Sequence, residues 1–125
     1  MSQNTTSHQH PNPPIQEYFD FEQLDVYYLA VEHLELVTRV RATAKVLDQL
    51  DRASESILLN IAEGMGKPVR SKDRRKYFRT ALGSAKESAC AWTILRIRKH
   101  AEDPLPSDAR SILLRVVAML TKMTG

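Results

Sequence analysis

The sequence predicts an all-α protein folded as an antiparallel, up-down-up-down four-helix bundle. Three observations predict it. Apolar residues recur at helical spacing through nearly all of residues 20–125. Alternating runs of β-branched and aromatic residues between turn signals, which mark strands, are missing. The helical stretches are of similar length and are joined by short connections, which favours antiparallel neighbours.

Taken in order, Asp20 and Gln23 fit the N-cap and N3 positions of a capping box. Leu24, Tyr27, Val31, Leu34 and Val37 then supply an apolar stripe opposite Glu32, Glu35 and Arg39, and the first helix is expected to run to about Thr43. The second helix carries Leu47, Leu50, Ser54, Ile57, Leu58, Ile61 and Met65 on one face, and Gly64, Gly66 and Pro68 stop it. Ser71 can cap the third helix, with Asp73 in its first turn complementing the helix dipole. That helix is expected to reach about His100. Pro104 and Pro106 mark the next connection, and Ser107 can cap a fourth helix faced by Ile112, Leu113, Val116, Leu120 and Met123.

Composition agrees with one small globular domain. The chain has 125 residues, 42% hydrophobic and 26% charged, enough to enclose one core. Residues 1–19 are polar and contain Pro11, Pro13 and Pro14, which predicts a flexible arm ahead of a bundle domain at 20–125. No apolar block follows a basic start, and the longest apolar run is residues 26–31, far short of the roughly 20 residues of a spanning helix. A cytoplasmic location with no membrane partner is the expectation, and the single Cys90 agrees with reducing surroundings. One cysteine and four glycines exclude a disulfide scaffold, a Cys-rich zinc module and a glycine-rich phosphate loop. His8 and His10 alone make a poor metal site on a polar arm.

The third helix has two distinct sides. Tyr77, Phe78, Ala81, Ala85, Ser88, Trp92 and Leu95 project as its core face. The opposite side starts with Lys72, Lys76 and Arg79, passes Gly83 and Lys86, and continues to Cys90, Ile94 and Ile97. A helix in an isolated bundle needs one apolar stripe, so Gly83, Cys90, Ile94 and Ile97 are candidates for a subunit contact. Gly83 would permit close backbone approach there. The plainer reading is scattered surface isoleucines of the ordinary kind.

Charge is concentrated in the same region. The chain as a whole carries only +3. Residues 67–79 hold seven cations against the single carboxylate of Asp73, a net +6, leaving eleven cations and fourteen carboxylates, −3, elsewhere. Lys67, Arg70, Lys72, Arg75, Lys76 and Arg79 are therefore candidate phosphate-binding residues, because clustered cations are the main source of non-specific nucleic-acid affinity. Arg74 projects toward the core side and reads as structural. The bland reading of the whole segment is a solvated helix start paired with Glu63, Glu87 or another subunit's carboxylates. No groove-reading signature is present, so sequence-specific recognition is not expected.

Catalytic chemistry is thin. Cys90 has no local histidine, and Gly83-Ser84-Ala85 inside a helix is not a nucleophile elbow. Glu32, His33 and Glu35 cannot all face one metal, and no Glu-x-x-His pair for a bundle di-metal site occurs. Asn60 and Glu63 are expected to satisfy backbone groups at the end of the second helix. The expectation is a non-enzymatic protein without catalytic residues, metal or cofactor.

Several blocks nevertheless form a recognisable pattern. Gln49-Leu50-x-Arg52-Ala53-Ser54-x-Ser56-Ile57-x-x-Asn60-Ile61-Ala62-Glu63-Gly64-x-Gly66 resembles the signature of the four-helix bundle proteins first noted in 23S rRNA intervening sequences. Ser71-x-Asp73, Tyr77-Phe78 and Ala81-x-Gly83-Ser84-Ala85-x-Glu87 continue it, and Val26-Tyr27-x-Leu29-Ala30 is similar to the family's opening helix. The resemblance covers about residues 20–122. It implies an antiparallel bundle assembled as a homopentamer. The family includes accessory proteins of diversity-generating retroelements, which use basic surfaces to engage nucleic acid and a reverse transcriptase, and it supplies no catalytic residues. The chain lacks the longer Pro-containing turn often found between the first two helices, whereas the basic residue usual after the second glycine is present as Lys67.

Together these readings give an oligomeric, non-enzymatic bundle that binds RNA or DNA non-specifically through its basic segment. The alternative is a protein-interaction scaffold whose cations make subunit or partner salt bridges.

Overall fold

A computed structural model describes residues 18–125, so nearly all of the expected arm, with His8 and His10, lies outside the described residues. A short 3-10 turn, Asp20–Gln23, precedes four helices: α1 Asp25–Val37, α2 Lys45–Met65, α3 Lys72–Ile97 and α4 Leu105–Thr124. Each helix packs on its chain neighbours and α1 closes the ring against α4, the arrangement of an antiparallel four-helix bundle. Among the described residues there is no strand, and no helix is long and apolar enough to cross a membrane.

The start of α1 differs from the expectation. Asp20 does not cap it. The Asp20 carboxylate accepts from the Phe21 N–H at 2.7 Å, and Glu22, rather than Gln23, accepts from the Phe19 N–H at 2.8 Å. Those local bonds stabilise the 3-10 turn, Leu24 is extended, and the helix opens at Asp25. Its far end comes at Val37 instead of Thr43. The Thr38 hydroxyl donates to the Glu35 carbonyl at 2.6 Å, and tight bonds from Arg39 N to Leu36 O and Val40 N to Val37 O close the turn. Val40 stays buried and the chain runs on without helix to Ala44.

The stripe on α1 is also rotated from the expected one. Its buried side is Val26, Leu29, Ala30, His33, Leu36 and Val37, while Leu24, Tyr27, Val31 and Leu34 are half-buried. On α2 the buried set is Val46, Leu50, Ala53, Ser54, Ile57, Ile61 and Gly64, with Leu47, Leu58 and Met65 at the flanks. On α3, Phe78, Ala81, Ala85, Ser88, Trp92 and Leu95 are buried as the periodicity predicts, and Tyr77 is half-buried. Ala109, Leu113, Val116 and Leu120 complete the core from α4.

Helix ends follow from side-chain chemistry. Ser71 caps α3, its Oγ accepting from the Arg74 N–H at 3.0 Å. That helix stops at Ile97 rather than His100, because Lys99 turns left-handed (φ 61°) and the His100 N–H bonds back to the Leu95 carbonyl at 2.8 Å. Ser107 does not cap α4, which already begins at Leu105. The carboxylate of Asp103 takes that role, accepting from the Ser107 N–H at 3.1 Å and the Ser107 hydroxyl at 2.7 Å while pairing with Arg96 at 2.7 Å. The Ser107 hydrogen bonds and the Arg96 charge hold the Asp103 carboxyl below its ordinary range.

One polar contact crosses the centre of the bundle. The indole N–H of Trp92 on α3 donates to Nε2 of His33 on α1 at 2.9 Å, and both side chains are buried. With Nε2 accepting, a neutral imidazole carries its proton on Nδ1, and that buried atom has no partner. Burial pushes the His33 pKa down from 6.5 to about 4.

Candidate nucleic-acid interface

The basic segment folds into the α2–α3 turn and the first turns of α3, at the end of the bundle that also holds the start of α1 and the end of α4. Two devices shape it. Gly64 is buried in the last turn of α2, where the Phe78 ring lies against the backbone and leaves no space for a side chain. Arg74 then ties the two helices together: its Nη2 donates to the Met65 carbonyl at 3.0 Å and its Nε to the Lys67 carbonyl at 3.2 Å. Its guanidinium carbon stands 6.0 Å from the centre of the Phe78 ring. Arg74 therefore satisfies carbonyls left open at the end of α2, the structural role its projection predicted.

The six candidate phosphate-binding residues surround this joint. Arg70 is exposed and left-handed (φ 64°), and its carbonyl accepts from Arg75 Nη1 at 2.8 Å, so Arg75 fixes the turn that presents Arg70. Lys72, Lys76 and Arg79 are exposed along one stripe of α3. Lys67 meets Glu63 at 3.3 Å, a partly exposed pair of the kind that contributes little. Among the described residues this is the one carboxylate within ion-pair distance of the six cations. The ammonium groups of Lys67 and Lys76 lie 5.4 and 6.0 Å from the Tyr77 ring, a cation-aromatic cluster not expected from the sequence.

Further along the same stripe, Gly83 and Cys90 are exposed, Ile97 is 72% exposed and Ile94 is half-buried against the core. A Cβ built on Gly83 would meet nothing within 4 Å, so no neighbour within the chain requires glycine there. Beside the stripe, a shallow groove between α3 and α4 is lined by Lys86, Ala89, Arg110, Leu113, Leu114 and Val117, with Leu114 60% exposed. The structure thus keeps the six candidate cations at one end and Gly83, Cys90, Ile94 and Ile97 along the flank.

Other polar candidates serve the fold. Asn60 does not reach the end of α2; its amide donates one turn back to the Ser56 carbonyl and hydroxyl at 2.8 and 3.0 Å. The Ser84 hydroxyl donates to Ser56 at 2.8 Å, which places Ser84 in the α2–α3 seam. Among the described residues, no group of three or more His, Cys, Asp or Glu side chains is placed to hold a metal. Sequence reasoning passed over a second basic set at the opposite end, where Arg39, Arg41 and Lys45 approach and enter α2 and Arg98 and Lys99 follow α3, all exposed. The signal was present, since residues 39–45 contain three cations and no carboxylate.

No curated protein matches the chain. The family described as 23S rRNA-intervening sequence protein matches residues 22–122, a span that takes in α1, α2, α3, all but the last two residues of α4, and the whole basic turn. With nearly all of the bundle and the Arg74-tied joint falling inside that span, the chain belongs to the 23S rRNA-intervening sequence protein family.

Proposed function

We propose that this is a non-enzymatic, cytoplasmic, oligomeric bundle that binds RNA or DNA through phosphates, without sequence preference, using Lys67, Arg70, Lys72, Arg75, Lys76 and Arg79. The observation that carries the reading is the set of largely unpaired cations on a turn fixed by Arg74 and Arg75. A surface that had evolved only to be solvated would carry interspersed carboxylates; this one has Asp73 alone within residues 67–79. Oligomerisation is supported by the exposed Ile97 and Leu114 beside Gly83 and Cys90. A homopentamer is what the family resemblance implies, and a ring would repeat the basic end and raise its effective affinity.

Changing Arg70, Lys72, Arg75 and Arg79 together to alanine is expected to weaken binding of a labelled structured RNA about 100-fold near physiological salt. The salt dependence should flatten by about three to four counterions. Fluorescence anisotropy across a salt series measures both. Equal binding by the two proteins overturns the reading. Loss of assembly on the same changes, with no nucleic acid bound by the unaltered chain, assigns the cations to protein contacts instead. Light scattering after size-exclusion chromatography checks the oligomer, and a 14.2 kDa species rules it out.

A further inference from the structure

The basic end carries an apolar feature that phosphate neutralisation alone does not use. Val69, in the middle of the α2–α3 turn, is 72% exposed. It stands at the lip of a depression lined by Leu24, Met65, Phe78 and Met123, drawn from the approach to α1 and from α2, α3 and α4. Phe78 is buried and the other three are half-buried, so the lining is held by the core and does not depend on a mobile loop. Arg70 and Arg75 border the same depression, and Arg74, committed to α2 carbonyls, forms its wall.

Apolar surface framed by guanidinium groups fits an anion that has a flat apolar body. A nucleotide with an unpaired base meets that description: its phosphate can lie on Arg70 and Arg75 while the base covers Val69 and Met65. A base inside a duplex is stacked and paired, and its phosphates alone would reach the rim. Resting on the phosphate-binding reading above, we infer that the basic end takes single-stranded nucleic acid, with one unpaired base seated in the Val69–Met65–Phe78 depression. Charge alone would give the opposite preference, because a duplex has the higher density of phosphate and the stronger counterion release. The direction of strand preference therefore separates the two.

The test uses the full chain and labelled oligonucleotides of about 20 nucleotides, one an unstructured oligo-U or oligo-dT strand and the other a duplex of equal length. Anisotropy titrations at several salt concentrations are expected to show the single strand bound at least about fivefold more tightly. Val69→Ser, on an exposed turn, should lower single-strand affinity about fivefold while leaving duplex affinity and the salt slope unchanged. A thermal melt of the variant establishes that the bundle is intact. Duplex bound as tightly as single strand, with Val69→Ser silent, overturns the inference and leaves the phosphate reading standing. Binding of neither overturns both, and an acidic apolar peptide whose binding Val69→Ser weakens, while strand binding is unchanged by the same substitution, overturns the inference and assigns the depression to a protein partner.

Discussion

Acidification from pH 6.5 to about 4 is expected to lower the stability of the bundle by roughly 3 kcal/mol, at about 1.4 kcal/mol per pH unit. The cause is His33. Its pKa in the folded chain is about 4, against an ordinary 6.5, because the ring is buried without a carboxylate to offset its charge. Between those values the unfolded chain binds a proton that the native chain does not. This contribution to stability is therefore complete above pH 6.5, falls as the pH drops, and is exhausted below about 4. Protonation would also place a donor on Nε2, where the Trp92 N–H already points. Denaturant titrations at a series of pH values measure the slope. His33→Gln supplies the control, since its amide stays neutral and retains an acceptor for the indole. Carboxylates titrate in both proteins, so the difference between the two pH profiles isolates His33. Parallel profiles would refute the assignment.

Gly64→Ala is expected to destabilise the protein by about 2 kcal/mol, lowering Tm on the order of 8 °C. Helix propensity alone predicts the reverse, a gain of about 1 kcal/mol. The new Cβ would lie 2.6 and 2.9 Å from two carbons of the Phe78 ring and 3.3 Å from the Arg74 carbonyl oxygen. Phe78 is 3% exposed and packed into the core, so the ring can give way only by disturbing its neighbours or by parting the two helices at the joint that presents the basic turn. Gly66→Ala provides the comparison: its Cβ meets the Glu63 carbonyl oxygen at 3.4 Å and its backbone is right-handed helical, so the change should be close to neutral. Circular-dichroism melts of the two variants test the contrast. Equal melting temperatures would show that the α2–α3 contact tolerates a methyl group.

How much of this was legible in the sequence depended on how local each cause is. The span of α2, the Ser71 cap and the core face of α3 rest on signals within a few residues, and the structure reproduces them. The phase of α1 was not readable because the helix is apolar on two adjacent sides. Leu24, Tyr27, Val31 and Leu34 compete with Val26, Leu29, Ala30 and Leu36, Val37 lies on both stripes, and only packing against α2 and α4 decides between them. His33 looks like a surface residue between two glutamates until Trp92, 59 residues away, supplies its hydrogen bond. Asp103 and Ser107 are both able to cap, and the carboxylate prevailed because it accepts twice from Ser107 while holding Arg96. At the candidate interface, the run of cations is visible in the chain. The depression beside it is not, since its lining residues come from four separate parts of the sequence.

The Trp92–His33 contact also provides an optical probe that needs no label. The chain contains a single tryptophan, and its indole is fixed at the point where α1 and α3 meet through the core. Excited at the red edge of its absorption, beyond the four tyrosines, the indole gives emission from one known position. Arg79, the nearest of the basic candidates along α3, is about 20 Å from Trp92 by helical rise. Phosphates bound at that end should leave the emission undisturbed, so a spectral shift on adding an oligonucleotide would report that the centre of the bundle had rearranged.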